Sequence, residues 1–145
     1  MYLLDTDVIS RTSPLSSAGG RSLAAWLQRH GDQAYLSVVS LSEIQYGVAR
    51  LVQRGAHRRA AQLQQWINTV VDHYAARCLA LDLATARRTG ELLAKAEAEG
   101  HAPTFEDASL AATADLHQLI IVTFNLKHFR AFGVPFQEPG EMESP

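Results

Sequence analysis

The run Leu119-Ile120-Ile121-Val122 contains no polar residue, and it constrains the fold more than any other stretch of the chain. A strand with one face in water alternates apolar and polar side chains. A strand without alternation is covered on both faces, as strands are inside a parallel sheet flanked by helices. The other short apolar runs fit the same scheme. Tyr2–Leu4, Ala34–Val39, Cys78–Leu81 and Val134–Gln137 read as strands, separated by longer stretches with helical periodicity. Strands alternating with helices predict an α/β fold with a short, mainly parallel central sheet.

The helices are predicted from spacing and punctuation. Asp7 is placed as the cap of a short helix reaching Arg11, and Ser13-Pro14 and Gly19-Gly20 bracket the loop beyond it. Ser22–His30 carries Leu23, Trp26 and Leu27 on one face. Ser40 or Ser42 is placed as the cap of a helix with Leu41, Ile44, Val48 and Leu51 as its stripe, ended by Gly55. Ala56–Tyr74 follows as a long helix. Asp82 caps the next, with Leu83, Ala86, Gly90, Leu93 and Ala94 assigned inward. Thr104 opens a helix to about His117. Residues 1–138 are expected to form one domain, with 139–145 as a polar, flexible tail.

The chain has 145 residues and a formal net charge of −2, so it offers nucleic acid no global attraction. Cys78 is the lone cysteine, which excludes an internal disulfide and argues against a thiolate zinc site. No leader pattern or membrane-length apolar run is apparent, so a cytoplasmic protein free of the membrane is the expectation.

Acidic residues recur at places where strands end and helices start. Asp5 and Asp7 close the first strand in Leu4-Asp5-Thr6-Asp7-Val8. Glu43 lies in Ser42-Glu43-Ile44-Gln45-Tyr46-Gly47, and Gly47 leaves room one turn away. Asp107 falls in the first turn after Thr104, and Asn125 just past the strongest strand in Val122-Thr123-Phe124-Asn125. Taken singly, each has an ordinary explanation: helix cap, exposed helix glutamate, dipole-complementing acid, turn asparagine. Paired carboxylates at a sheet edge repel one another unless a positive charge sits between them, and hard divalent cations prefer such oxygen ligands.

Taken together, the four stretches and their order resemble the PIN-domain nucleases, in particular the VapC-type ribonuclease toxins, over essentially the whole chain. The resemblance implies a three-layer α/β/α fold. It implies that Asp5, Glu43 and Asp107 hold Mg²⁺ or Mn²⁺ and, with Asn125, form the catalytic set. Thr6, Asp7 and Thr123 would be auxiliary. Asn125 stands where some members carry a fourth acid, and Asp7 where asparagine is common. The implied activity is endonucleolytic hydrolysis of RNA by a metal-activated water. Arg11, Arg50, Arg54, Lys127 and His128 are candidate RNA contacts, with His57, Arg58 and Arg59 in the same basic stretch as Arg50 and Arg54. The implied partners are a small VapB-like antitoxin, with Trp26 and Leu27 as candidate contacts, and a second copy in a homodimer or pair of dimers.

Two other readings of the acids are available. Asp5-Thr6-Asp7 also resembles the opening of haloacid-dehalogenase-like phosphatases, with Asp5 as nucleophile. That family needs a downstream lysine and a late acidic pair, and only Lys95 and Lys127 are present, without such a pair. The third reading is a PIN-like interaction module without catalysis.

Overall fold

A computed structural model describes residues 1–17 and 20–140. In chain order the elements are β1 (Tyr2–Leu4), α1 (Thr6–Ser10), α2 (Gly20–His30), β2 (Ala34–Ser37), α3 (Val38–Gln53), α4 (His57–Tyr74), β3 (Cys78–Leu79), α5 (Leu83–Ala98), α6 (Phe105–His117), β4 (Ile120–Val122) and β5 (Phe136–Gln137). The strands form one sheet of order β3-β2-β1-β4-β5, and every pairing is parallel. The chain moves outward from β1 through β2 to β3, then returns to the other side of β1 with β4. The carboxyl ends of β1 and β4 therefore flank the point where the winding reverses, the place where open α/β sheets form crevices.

Strand alternation divides the core into two layers. Tyr2, Leu4, Leu36 and Val122 pack with Val8, Leu23, Trp26, Ile44 and Val48 from the helices on one face. Leu3 and Ile121 point the other way and pack with Leu92, Leu110, Phe129 and Phe132. This is the three-layer α/β/α arrangement. Leu3 has no solvent exposure, so truncation to alanine is expected to cost about 2–5 kcal/mol.

Local chemistry moved two caps and one helix face from their expected positions. Asp5, not Asp7, is the N-cap of α1, with extended backbone (φ −70, ψ 155) and a carboxylate accepting from Thr6 N at 2.7 Å. Asp7 lies inside the first turn instead. Ser37 caps α3 by accepting from Val39 N at 3.1 Å, so neither Ser40 nor Ser42 does. The strand consequently ends at Ser37 and the helix begins within the apolar run that reads as strand.

In α5 the buried face is Thr85, Thr89, Leu92 and Ala96, while Leu83 is 77% exposed and Ala86, Gly90 and Ala94 also face outward. The reason lies in the hydroxyls. Thr85 N and Oγ1 both donate to the capping Asp82 carboxylate, and Thr89 Oγ1 donates to Thr85 O at 2.7 Å. With their polar atoms satisfied inside the helix, the threonines present methyl groups to the core. Small inward residues on α5 and the alanine-rich α6 let these helices approach closely.

Trp26 is 1% exposed and packs edge-on to Tyr2 at 5.0 Å, so it belongs to the core and is not a surface contact; Leu27 is half-buried. Of the expected polar tail, residues 141–145 lie outside the described residues, as do 18 and 19 of the early loop.

Candidate active site

Four elements deliver the acids to one cavity. Asp5 ends β1, Asp7 lies in the first turn of α1, Glu43 projects from α3, and Asp107 sits in the first turn of α6. With Asn125 they line a cavity of about 380 Å³, joined by Ser10, Glu106 and His128. Residues separated by more than a hundred positions meet here because β1 and β4 are hydrogen-bonded neighbours.

Hydroxyls and amides hold the acids in place. Thr123 Oγ1, fully buried at the end of β4, donates to Asp5 Oδ2 at 2.8 Å. Thr6 Oγ1 donates to Glu43 Oε1 at 2.9 Å, tying α1 to α3. Asp7 Oδ2 receives two N–H donors, Phe124 N at 3.1 Å and Asn125 Nδ2 at 2.9 Å. Asn125 N in turn donates to Thr123 Oγ1 at 2.9 Å. The two positions that depart from the common family pattern thus contact each other, and Asn125 steadies Asp7. Thr6 and Thr123 thus each hold one acid through a hydroxyl. Asp107 N donates to the capping Thr104 hydroxyl at 3.1 Å, and Asp107 Oδ2 lies 3.3 Å from His128 Nδ1.

The electrostatics are those of uncompensated acid. Burial pushes the Asp5 carboxyl up to about 7; the neighbouring Asp7 charge adds to this, the Thr123 and Thr6 hydrogen bonds oppose it, and Asp107 adds a further upward push. Burial likewise raises Asp7, Glu43 and Asp107 above the ordinary carboxylate range. Arg11 lowers Asp7 a little through its charge, and its guanidinium rests 3.7 Å from the centre of the Phe124 ring. Asp7 Oδ1 is buried without a hydrogen-bond partner, an arrangement that costs free energy unless something positive or protic meets it.

An all-oxygen donor set with an orphaned carboxylate oxygen is the chemistry that suits a hard divalent cation. The acids surround the cavity rather than closing on its centre. Among the described residues no three Asp, Glu, His or Cys side chains are already grouped as a cation clasp.

A PIN-domain family model matches residues 2–134. The chain belongs to the PIN-domain family. Among its relatives, it is 29% identical over 142 residues to the VapC ribonuclease Y4jK of Sinorhizobium fredii, covering 97% of this chain and 99% of that protein. It is 30% identical over 140 residues to Toxin FitB of Neisseria gonorrhoeae, covering 96% of this chain and 98% of that one. The crystal structure of FitAcB from Neisseria gonorrhoeae superposes with a TM-score of 0.77 at 31% identity, covering 98% of this chain and all of its counterpart. Nothing in this PIN-domain fold or its relatives favours the phosphatase reading of Asp5-Thr6-Asp7.

The basic residues divide. His128 lines the acid cavity, and Lys127 with His128 lines an adjoining one. Arg50 lies 5.8 Å from the Tyr46 ring, and Tyr46 shares a third cavity with Glu43 and Glu106. Arg54 caps the far end of α3, and His57, Arg58 and Arg59 open α4; all are exposed and none lines these three cavities. Ser10, Glu106 and His101 are cavity residues that sequence reading missed. Ser10 lies one helical turn after Thr6, a spacing that could have found it. His101 lies in a turn, where only the fold gives it neighbours.

Among the described residues no helix is long and apolar enough to cross a membrane.

Proposed function

We propose that this PIN-domain chain is a divalent-metal-dependent endoribonuclease that acts as the toxin of a toxin–antitoxin pair. The observation that carries the reading is the convergence of Asp5, Glu43 and Asp107 on one cavity in a family whose relatives include a VapC ribonuclease and a FitB toxin. Asp5, Glu43 and Asp107 would hold Mg²⁺ or Mn²⁺. When bound, such an ion supplies charge to a phosphoryl group and lowers the pKa of a coordinated water.

The chain's own residues then have separable tasks. Thr123 and the N–H of Thr6 fix both oxygens of Asp5, so its orientation does not depend on the ion. Thr6 turns one oxygen of Glu43 and leaves the other for a ligand. Asn125 and Phe124 N hold Oδ2 of Asp7 and so orient this carboxylate at the cavity wall, where it could accept a proton from an attacking water. His128 steadies Asp107. The partner would be a small antitoxin, a reading supported by FitB's designation as a toxin and by the similarity to the FitAcB structure.

The test is cleavage of single-stranded RNA by rigorously purified protein with Mg²⁺, Mn²⁺ or EDTA. Cleavage that needs the metal, leaves 5′-phosphate and 3′-hydroxyl ends, and falls by a hundredfold or more in Asp5→Asn, Glu43→Gln and Asp107→Asn is the expected result. Undiminished activity in all three variants would mean that the acids do not carry the reaction. Absence of cleavage under every metal condition would favour the interaction module.

A further inference from the structure

The acid cavity opens on two sides, and the sides differ in charge. One side, formed by Ser42, Glu43, Tyr46 and Glu106, is acidic and aromatic. The other is a cavity of about 270 Å³ lined by His101, Pro103, Thr104, Lys127, His128 and Ala131, with Asp107 on its boundary. It shares Thr104, Asp107 and His128 with the acid cavity, so the two are continuous. Lys127 brings a permanent positive charge, and the two imidazoles bring hydrogen-bond donors. The start of the thirteen-residue helix α6 adds the positive end of its dipole at Thr104.

Both rims are anchored. Lys127 and His128 belong to the short helical turn Leu126–His128, which begins at Asn125 and is held by His128 N donating to Asn125 O at 3.0 Å. The next residue, Phe129, is fully buried. Asn125 itself holds Asp7, so this turn is fixed relative to the acids. On the opposite rim His101 N donates to Ala96 O at 3.0 Å, tying the turn to the end of α5. Lys127 is exposed and forms no ion pair among the described residues, so its ammonium is available to a ligand in this preformed cavity beside the acids. The cavity matches a polyanion whose one phosphate lies at the acids and whose next needs a cation.

We propose that His101 and Lys127 form a phosphate subsite that binds the phosphodiester adjacent to the scissile one on the same RNA strand. The proposal rests on the ribonuclease reading and adds the direction in which the strand leaves the acids. It also explains how a chain of net charge −2 holds RNA beside four carboxylates.

His101→Ala, Lys127→Ala and the double variant test it. Both side chains are exposed, so folding should be undisturbed. Two substrates separate the subsite from the reaction: a single-stranded oligonucleotide, and a dinucleoside monophosphate that contains the scissile phosphodiester alone. The ratio of kcat/KM for oligonucleotide over dinucleotide should fall about tenfold or more in the double variant. Lys127→Arg should restore most of it. Independently of turnover, fluorescein-labelled RNA bound to Asp5→Asn protein should show a shallower salt dependence when His101 and Lys127 are also removed, by about 0.7 in the log–log slope per lost phosphate contact. An unchanged substrate ratio and an unchanged salt slope would overturn the subsite while leaving the ribonuclease reading intact. A wild-type protein that cleaves neither substrate would overturn the ribonuclease reading, and an unaltered salt slope would then reject the subsite as well.

Discussion

Asp5→Asn should lower activity by about a hundredfold or more and yet make the metal-free protein more stable at neutral and alkaline pH. Asp5 is 8% exposed and its carboxyl is pushed up to about 7 from an unfolded-state value of 3.8. Because the folded-state value is the higher one, the folded protein holds its proton more tightly than the unfolded chain does. The associated stability is fully present below about pH 4 and is lost as pH rises through 7. The size of the loss follows from the interval between the two values at 1.36 kcal/mol per unit, about 4 kcal/mol for the interacting Asp5–Asp7 pair as an upper bound. Asparagine removes the charge but keeps part of the hydrogen bonding. Its oxygen can accept from Thr6 N, and its amide can donate to Thr123 Oγ1, which already accepts from Asn125 N. That mismatch costs about 1 kcal/mol. The expected balance in EDTA is a gain of about 1–3 kcal/mol at pH 8 and a difference near zero or slightly unfavourable at pH 4. Urea denaturation of both proteins at a series of pH values in EDTA measures it. A variant that is less stable at pH 8, or whose difference from wild type does not change with pH, would refute the argument that uncompensated burial dominates at Asp5.

Other outcomes follow from the same geometry. Adding Mn²⁺ at pH 8 should raise the wild-type melting temperature and should leave Asp5→Asn nearly unmoved; equal responses in thermal scans would place the ion elsewhere. Thr123→Val should cost about 1–3 kcal/mol, because the buried Asp5 oxygen loses its donor and Asn125 N its acceptor, and should push Asp5 still higher; the stability loss, read by urea denaturation, should therefore grow from pH 5 to pH 8. Asn125→Ala should lower kcat with little change in melting temperature, since it releases Asp7 on the exposed side of the cavity; an unchanged kcat would remove Asp7 from the reaction. Gly90→Ala should stabilise the fold by about 0.5–1 kcal/mol without altering activity, because a methyl group there meets open space on the outer face of α5.

The sequence by itself determined the layered architecture and, through resemblance to a family, named the candidate acids. The unalternating run before Thr123 required a strand covered on both faces, and the alternation of such runs with helical stretches required a layered α/β fold. The set Asp5, Glu43, Asp107 and Asn125 came from the resemblance of four stretches to the PIN-domain nucleases, because each residue taken singly has an ordinary structural explanation. Two caps were not readable, because several acids and hydroxyls compete within a few positions and the winner depends on where the strand lets go: Asp5 over Asp7, Ser37 over Ser40 and Ser42, whereas Asp82 and Thr104 cap as expected. The inward face of α5 was hidden because threonine reads as polar until its hydroxyl finds a partner in the preceding turn. Tertiary structure alone decided the contacts across the sheet. Thr123 meets Asp5, Asn125 meets Asp7, and His128 meets Asp107 because β1 and β4 are neighbours and α6 begins at the same edge. No local pattern encodes a contact between residues 118 positions apart; the shared crevice at the reversal of the sheet's winding does.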